Sequence, residues 1–445
     1  MTCPTAILNP GLERLQELNM TIAIFLGSLL GAMAIGIPIS FSLLLCGAAL
    51  MWHLSMFDAQ ILAQNLINGA DSFPLLAVPF FMLAGEVMNA GGISRRIVAF
   101  AMTLVGHIQG GLGYVAIVAA VFMAALSGSA VADAAALSAL LLPMMVAAGH
   151  DKGRSAGLLA SASIIAPIIP PSIGFVIFGV AANVSISRLF MAGIFPGIML
   201  ASALVFTWWL MARKEHVSTP PRKSRAEVLV AFKDATYAMV LPVIVIVGLK
   251  FGVFTPTEAA VVAAVYAIFV STVIYGELKI SQLYGLFLAA AKTTAVIMFL
   301  VAAAMVSAWL ITVAQLPDQM VALLEPLLGS PKLLLLAMML LIMVVGTSMD
   351  MTPTILILTP VLMPIVKAAG IDPVYFGVLF LINTAIGLIT PPVGTVLNTV
   401  AGVGKVSMSD VIRGVFPFMA AQFLILFLMV MFPQLVMVPA SWFYG

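Results

Sequence analysis

The segment Leu388-Ile-Thr-Pro-Pro-Val-Gly394 decides how this chain folds, and a close counterpart, Ile168-Ile-Pro-Pro-Ser172, lies in the first half of the sequence. Each segment places two adjacent prolines inside an apolar run long enough to cross a bilayer. Proline has no N–H group to donate and its ring clashes with the preceding helical turn, so backbone carbonyls are freed at both places. In a membrane, such irregular backbone is tolerated only where it is buried in protein or lines a polar cavity.

The composition around these segments is that of a membrane protein. Of 445 residues, 63% are hydrophobic and 8% are charged, whereas about a quarter of a typical soluble domain is charged. Apolar runs of about twenty residues, the length that crosses a ~30 Å hydrocarbon core, recur along the chain, for example within 21–53, 189–211 and 418–438. The runs lack the two-residue alternation of a transmembrane barrel. We therefore expect an all-α, multi-pass protein of a bacterial inner membrane.

An internal repeat divides the sequence into two halves. Residues 137–197 align without a gap on residues 358–418. The matched positions include proline, glycine and aspartate at fixed spacing, among them Asp151 with Asp372. Chance similarity between apolar helices would match leucine, isoleucine and valine instead, so duplication is the better explanation.

The basic residues predict that the two halves have opposite orientations. Lys and Arg collect in short cytoplasmic loops, and the longest polar segment, 213–235, is rich in both. The loop 150–154 also carries basic residues, whereas its repeat counterpart, 370–373, carries none. We therefore predict an inverted repeat, with residues 20–212 and 236–445 as its units, 213–235 as a cytoplasmic loop and 1–19 as a polar N-terminal extension.

Each half contains two kinds of interrupted apolar segment. One kind is too broken for a single span, and we interpret it as a re-entrant hairpin at about 125–149 and again at about 346–370. The other is the proline-interrupted span, which we expect to be unwound within about 156–186 and about 374–403. Paired broken helices at matching positions are the best sequence indication of a transporter's substrate and ion sites. The alternative, ordinary proline-kinked packing helices, explains one such segment better than it explains two matched pairs.

Asp350 is the strongest candidate for an ion ligand. It is one of few acidic residues at membrane depth, where charge is costly and usually functional, and hydroxyl side chains surround it in the sequence. Na⁺ is a hard cation that suits several oxygen ligands. The alternative role is that of a carboxylate that only caps a half-helix N-terminus. The candidate Na⁺ ligands of the second half are Gly346, Asp350, Thr352, Thr390 and Pro391.

The first half offers Ser127 and Ser129, with the backbone carbonyls between Ala166 and Pro171 as further Na⁺ ligands. Asp133 follows Ser129 by one helical turn and shares its face, and we interpret it as a residue that supports the ligands. Half-helix N-termini present free N–H groups and a partial positive charge, which favours an anionic substrate. Neutral hydrogen bonds to that substrate are expected from Ser129, Ser172, Thr352, Thr395 and Asn398.

Several other functions do not fit the sequence. The segment Gly402-Val-Gly-Lys405 resembles part of a phosphate-binding loop, but valine follows the lysine, so no ATPase is expected. A net charge of +2 without a basic stripe argues against nucleic-acid binding. An intramembrane hydrolase would use Ser129 or Ser348 as nucleophile, but no histidine lies in a candidate span to act as the base. A passive channel is a further alternative, although paired inverted hairpins suit alternating access better.

Five motifs resemble the large membrane subunit of tripartite ATP-independent periplasmic (TRAP) transporters, and the resemblance covers essentially everything after Met20. The motifs are Leu126-Ser-Gly-Ser-Ala-Val-Ala-Asp133, Ile168-Ile-Pro-Pro-Ser172, Phe254-Thr-Pro-Thr-Glu-Ala259, Met349-Asp350 and Leu388-Ile-Thr-Pro-Pro-Val-Gly394. The resemblance implies an elevator-type ion transporter fold, Na⁺ as the coupling ion, no cofactor, a small four-helix membrane subunit and a periplasmic solute-binding protein as partners. It also implies that Asp350 is the Na⁺-coordinating carboxylate of the second hairpin. The first Na⁺ site is implied to consist of Ser127, Ser129 and carbonyls near Ala166, Ile169 and Pro171.

The resemblance also limits the substrate to small organic anions. Members of the family take up C4-dicarboxylates, sialic acid and other sugar acids, and this chain is most similar to permeases for keto sugar acids such as 2,3-diketogulonate. The expected function is Na⁺-coupled uptake of such an anion, received from the binding protein and moved by an elevator mechanism. The alternative is a stand-alone Na⁺/dicarboxylate symporter of similar architecture that needs no binding protein.

Overall fold

The computed structural model describes residues 10–213, 217, 219–315, 321 and 328–444. Within these residues the chain forms helices and no strand. Eight of the described helices are long and apolar enough to cross a membrane. The prediction of an all-α, multi-pass membrane protein is confirmed.

The helices of the first half are α1 (Pro10–Ala34), α2 (Ile39–His53), α3 (Ala59–Ala70), α4 (Ala77–Ala90), α5 (Ile93–Val105), α6 (Gly111–Ser127), α7 (Ala130–Ala147), α8 (Lys152–Ser163), α9 (Ile173–Ala182) and α10 (Ile186–Ala212). Those of the second half are α11 (Arg225–Lys250), α12 (Pro256–Phe269), α13 (Ile280–Val313), α14 (Pro331–Gly346), α15 (Met351–Ala368), α16 (Pro373–Gly387), α17 (Thr395–Gly404), α18 (Met408–Met431) and α19 (Gln434–Tyr444). A 3₁₀ turn, Phe73–Leu76, precedes α4, and a π-helical turn, Val270–Ile274, follows α12.

Two pairs of helices form hairpins at matching positions of the halves. Helices α6 and α7 pack together across the turn Gly128-Ser129, and α14 and α15 pack together across the turn 347–350. We call these turns the first tip and the second tip. The predicted ranges, 125–149 and 346–370, contain each tip and its second arm but leave out the first arm. Those first arms, α6 and α14, are continuous apolar helices that the sequence alone does not distinguish from complete spans. Re-entry from one side of the membrane stays a prediction.

Two spans are interrupted at the proline pairs. Irregular backbone at 164–172 separates α8 from α9, and irregular backbone at 388–394 separates α16 from α17. We call these segments the first break and the second break. Each contains a cis peptide bond between its adjacent prolines, Pro170–Pro171 and Pro391–Pro392. Both breaks lie inside the ranges expected to be unwound, 156–186 and 374–403.

The two halves interlock through reciprocal contacts. Helix α7 of the first half packs against α17 of the second, and α15 of the second half packs against α9 of the first. The second arm of each hairpin therefore rests on the half-helix that follows the break of the opposite half. This reciprocity is the arrangement expected when two repeats are related by a two-fold axis.

Helices α8 and α18 cross with their backbones in contact. A Cβ atom added to Gly157 would overlap the backbone of Gly414, and one added to Gly414 would overlap the backbone of Gly153. Small residues allow this close approach between membrane helices. Further along the crossing, Gln422 Nε2 donates to the Ser161 carbonyl at 2.9 Å. The first broken span is therefore fixed to the second half of the molecule.

The remaining helices surround this core. Helix α12 packs along α4, α13 crosses α2, α3 and α4, and α5 lies between α6 and α11. Glu277, in the turn before α13, pairs with Arg95 at 2.5 Å and with Arg96 at 2.7 Å at the start of α5. Arg96 also lies over the ring of Tyr275 at 3.7 Å from its centroid. These contacts join the α4–α5 connection to the α12–α13 connection.

Two element boundaries differ from the sequence-based ranges. Helix α11 begins at Arg225, inside the segment 213–235 that was expected to be a loop. Ser224 and Glu227 form a reciprocal capping box there, with hydrogen bonds of 2.8 and 3.2 Å. Helix α1 begins at Pro10, inside the expected extension 1–19, and residues 1–9 lie outside the described residues. The placement of the 213–235 segment in the cytoplasm stays a prediction.

Candidate functional site

The first tip is held in shape by its own side chains. Ser127 Oγ donates to Asp133 Oδ1 at 2.6 Å, and the Ser129 N–H group donates to Ser127 Oγ at 3.3 Å. Ser129 caps α7 by accepting from the Ala132 N–H group at 3.4 Å. Gly128 has a φ of 61°, in the left-handed region that favours glycine. The two predicted serines are therefore part of one connected tip.

The first tip lies directly against the first break. A Cβ atom on Gly128 would lie 2.7 Å from the Pro171 carbonyl oxygen, so the two backbones are in contact. The carbonyls of Ala166, Ile169 and Pro171 accept no hydrogen bond from the described residues, and all three residues are buried. A buried carbonyl without a partner costs free energy that water or a cation can offset. The structure thus places the first tip against Pro171, at the end of the segment that carries the predicted carbonyl ligands.

Ser172 is used differently from the prediction. Its Oγ donates to the Pro167 carbonyl at 2.5 Å and accepts from the Phe175 N–H group at 3.2 Å, and the side chain is fully buried. It caps the N-terminus of α9. Because capping occupies the hydroxyl, the structure does not support the substrate contact expected of Ser172. Serine is both a good ligand and a preferred N-cap, and the sequence does not separate the two roles.

Asp350 occupies the second tip. It is the N-cap residue of α15, yet its side chain makes no capping hydrogen bond. Instead, Asp350 Oδ1 accepts from Thr395 Oγ1, the hydroxyl of the first residue of α17, at 3.4 Å. The Asp350 backbone carbonyl accepts from Thr354 Oγ1 at 2.9 Å. The carboxylate therefore reaches across to the second broken span, which the capping alternative did not anticipate.

The second break and the end of α14 carry backbone oxygens that have no hydrogen-bond partner among the described residues. A Cβ atom on Gly387 would lie 2.9 Å from the Gly346 carbonyl oxygen, so the end of α14 lies against the end of α16. Thr390 Oγ1 donates to the Ile386 carbonyl at 2.8 Å. The carbonyls of Gly346, Thr390 and Pro391 accept no hydrogen bond from the described residues. A short segment leads from them to Thr395, the partner of Asp350.

The remaining predicted substrate residues lie at helix N-termini. Thr352 is the second residue of α15, and Thr395 begins α17. Asn398 lies one turn into α17, where its Nδ2 donates to the Val393 carbonyl at 2.9 Å. Ser129 caps α7. These side chains accompany free backbone N–H groups, which together suit an anion.

The two halves meet where the second tip touches the start of α9. A Cβ atom on Gly174 would lie 3.1 Å from Met351 Cε. Gly174 is the second residue after the first break, and Met351 follows Asp350. The N-termini of α9 and α15 therefore meet at this contact, and α7 packs along α17. One part of the molecule therefore combines freed carbonyls, which suit cations, with helix N-termini, which suit anions.

The two tip-and-break pairs differ in exposure. Every residue of the first break, 164–172, is buried. In the second pair, Asp350, Pro392 and Val393 are exposed. The first break is therefore fully buried and its tip is half-buried at Ser129, whereas the second tip and the second break are partly exposed.

Comparison with known proteins identifies the family to which this chain belongs. Residues 26–435 match the family model described as the tripartite ATP-independent periplasmic transporter, DctM component. This chain belongs to that family. The permease is 57% identical over 423 residues to the 2,3-diketo-L-gulonate TRAP transporter large permease protein YiaN of Escherichia coli K12, covering 95% of this chain and 100% of the relative. It is 38% identical to the sialic acid TRAP transporter large permease protein SiaM of Vibrio cholerae, covering 94% and 97% of the two chains.

A solved structure supports the fold independently. The permease superposes on the Alcanivorax borkumensis YdaH transporter with a TM-score of 0.66 and 16% identity, covering 88% of this chain and 91% of that one. Identity this low shows the fold alone. The family match confirms the predicted TRAP large subunit, a multi-pass inner-membrane transporter rather than an enzyme. The family belongs to a tripartite system with a small membrane subunit and a periplasmic binding protein.

We expect Gly128→Ala to separate the first tip from its break. The added methyl group would have to occupy a φ of 61° and would lie 2.7 Å from the Pro171 carbonyl oxygen. The left-handed conformation alone costs about 1–2 kcal/mol, and the overlap adds to that cost. The matched control is Gly370→Ala, because Gly370 has a φ of 66° but nothing within 4 Å of an added Cβ. Thermal unfolding measures both, and equal losses would show that the contact with Pro171 contributes nothing.

Proposed function

We propose that this permease couples the uptake of a small organic anion to a Na⁺ gradient by an elevator movement. The observation that carries the proposal is the carboxylate of Asp350 at the second tip. It makes no capping hydrogen bond with its own helix, and its Oδ1 lies 3.4 Å from Thr395 Oγ1. Asp350 is exposed in this conformation, so its carboxylate is accessible for binding a cation. Its side chain faces a broken span rather than the helix that it begins.

The surroundings of Asp350 fit a monovalent hard cation. The carbonyls of Gly346, Thr390 and Pro391 are free of hydrogen bonds from the described residues, and Thr395 adds a hydroxyl. Hard cations prefer such oxygen ligands. One Na⁺ beside one carboxylate leaves the site neutral, which lowers the cost of carrying it through an apolar surrounding. Binding would also draw the tip onto the break, since both supply ligands.

The proposed substrate is a sugar acid. The two relatives described above are named for 2,3-diketo-L-gulonate and for sialic acid, which are both carboxylates that carry hydroxyl and keto groups. The carboxylate would bind at the N-termini of α7, α15 and α17, where N–H groups and the helix dipoles favour an anion. Hydroxyl and amide groups of Ser129, Thr352, Thr395 and Asn398 would then hydrogen-bond the rest of the substrate.

The proposed moving body comprises the hairpins and the broken spans. Their mutual contacts, α7 with α17, α15 with α9 and α8 with α18, hold them together as one unit. The surrounding helices α2, α3, α4, α12 and α13 contact one another and would form the fixed part with the small membrane subunit. The two parts touch by ordinary van der Waals contact at Gly85, whose added Cβ would lie 3.7 Å from the Ser127 carbonyl oxygen. Such a contact permits sliding.

Uptake by the reconstituted complex tests the function. Vesicles that contain this permease and its small subunit, supplied with the binding protein loaded with 2,3-diketo-L-gulonate, should accumulate the sugar acid under an inward Na⁺ gradient. An equal K⁺ gradient should drive no accumulation, because the ion sites are proposed to require Na⁺. Omission of the binding protein should also abolish uptake. Uptake of free substrate without the binding protein would favour the stand-alone symporter, and uptake under K⁺ would contradict Na⁺ coupling.

Na⁺-dependent stability tests the role of Asp350. A ligand that binds only the folded protein raises its thermal midpoint, so the midpoint should be higher in Na⁺ than in K⁺ at equal ionic strength. In Asp350→Asn we expect the half-saturating Na⁺ concentration to rise at least about tenfold, or about 1.4 kcal/mol. The control is Asp372→Asn, which removes a carboxylate that caps α16, because asparagine caps helices equally well. An unchanged Na⁺ response in Asp350→Asn would remove Asp350 from the ion site.

A further inference from the structure

A long apolar groove runs between α10 and α18 on the outside of the protein. It contains a cavity of about 440 Å³ that Ala421 and Ile425 line from α18. The exposed side chains of Phe206 and Leu424 flank it, so the groove opens outward. On α10 its edge is a row of half-buried residues at four-residue spacing, namely Phe195, Met199, Ala203 and Thr207. A second apolar cavity shares Phe195 and continues the groove along α19.

At its other end the groove meets a charged cavity of about 490 Å³. Met211 lines this cavity and lies one turn beyond Thr207, so the same edge of α10 leads into it. The N-termini of α8 and α18 form the rest of its wall. Its charged residues are Lys152, Arg154, Arg413, Asp151 and Asp410. Three positive charges against two negative charges leave one positive charge in excess.

The two carboxylates are used within the helices that they begin. Asp151 Oδ1 accepts from the Arg154 N–H group at 2.7 Å, and Asp410 Oδ2 accepts from Ser407 Oγ at 2.6 Å. Arg413, in contrast, is exposed and makes no hydrogen bond or ion pair with the described residues. A guanidinium group carries five donors in a planar arrangement that matches the oxygens of a phosphate.

Aromatic side chains place the charged cavity at the level of a membrane–water interface. The guanidinium carbon of Arg213 lies 4.1 Å from the centroid of the Trp209 ring, next to Met211. Tryptophan and arginine are typical of this depth. The rise from Phe195 to Met211 is about 24 Å at 1.5 Å per residue, whereas one leaflet contributes about 15 Å of hydrocarbon. An acyl chain therefore fits in the groove when its headgroup lies in the charged cavity.

We propose that this groove binds an anionic phospholipid such as phosphatidylglycerol, with an acyl chain between α10 and α18 and the phosphate on Arg413 and Lys152. Basic pockets between transmembrane helices on the cytoplasmic side suit anionic headgroups, and the loop 150–154 is predicted to be cytoplasmic. One phosphodiester neutralises the excess positive charge, whereas a zwitterionic lipid would add a second ammonium charge. The proposal does not depend on Na⁺ coupling or on the identity of the transported anion.

Thermal unfolding of the delipidated complex of permease and small subunit tests the proposal. A ligand that binds only the folded protein raises the midpoint. We expect a saturable rise with dioleoyl-phosphatidylglycerol that dioleoyl-phosphatidylethanolamine, which has the same chains, does not reproduce. In Arg413→Gln the half-saturating concentration should increase at least about tenfold, because a charge-assisted hydrogen bond is lost. The control Lys233→Gln removes an exposed basic residue of α11 and should leave the response unchanged.

A second variant tests the groove rather than the charge. Ala203→Phe fills the middle of the α10 edge, so it should weaken the response to phosphatidylglycerol while Arg413 is intact. An equal response to inorganic phosphate would show that the cavity binds a free anion and not a lipid. Failure of Ala203→Phe to assemble with the small subunit would show that the groove is a protein interface. Either result would overturn the proposal.

Native mass spectrometry of the complex extracted from the membrane gives a direct readout. The unsubstituted complex and Lys233→Gln should retain phosphatidylglycerol at collision energies that release it from Arg413→Gln. Equal responses to the two lipids, or equal retention in Arg413→Gln and the unsubstituted complex, would show that the lipids only surround the protein without a specific site.

Discussion

A backbone carbonyl without a hydrogen-bond partner is costly inside a protein that water does not reach, and this chain concentrates such carbonyls at its two breaks. In both halves, a hairpin packs against a broken span through a glycine. The first break lies against Gly128 of the first tip, and the end of α16 lies against Gly346 of the second hairpin. Glycine at these contacts allows backbone to approach backbone, so each hairpin packs closely on a broken span.

The same constraint explains why the two halves depend on each other. Each hairpin packs on the half-helix that follows the opposite break, and α8 crosses α18 at glycines from both halves. The reciprocal packing also brings helix N-termini of the two halves together. The proposed ion coupling would depend on the two tips, of which the second is the more exposed in this conformation.

The sequence predicted the elements with strong local signals and missed those set by tertiary contacts. Two prolines in an apolar run are sufficient to locate the breaks, because proline cannot continue a helix. The capping box at Ser224 was also present in the sequence and would have given the start of α11. In contrast, the first arms of the two hairpins, α6 and α14, carry no local sequence signal that distinguishes them from complete membrane spans. The buried state of Asp133 and the contact of Asp350 with Thr395 depend on segments distant in sequence. The capping role of Ser172 is local, but the sequence does not separate it from a role as a ligand.

Hydrogen–deuterium exchange of the intact complex in Na⁺ and in K⁺ tests most directly whether tips and breaks close together around ions. Peptides that cover the first tip and first break, and the second tip and second break, should exchange more slowly in Na⁺, because bound ions hold each tip against its break. Peptides from α12, in the surrounding layer, should exchange equally in the two salts. Equal exchange of all tip and break peptides in Na⁺ and K⁺ would contradict the account.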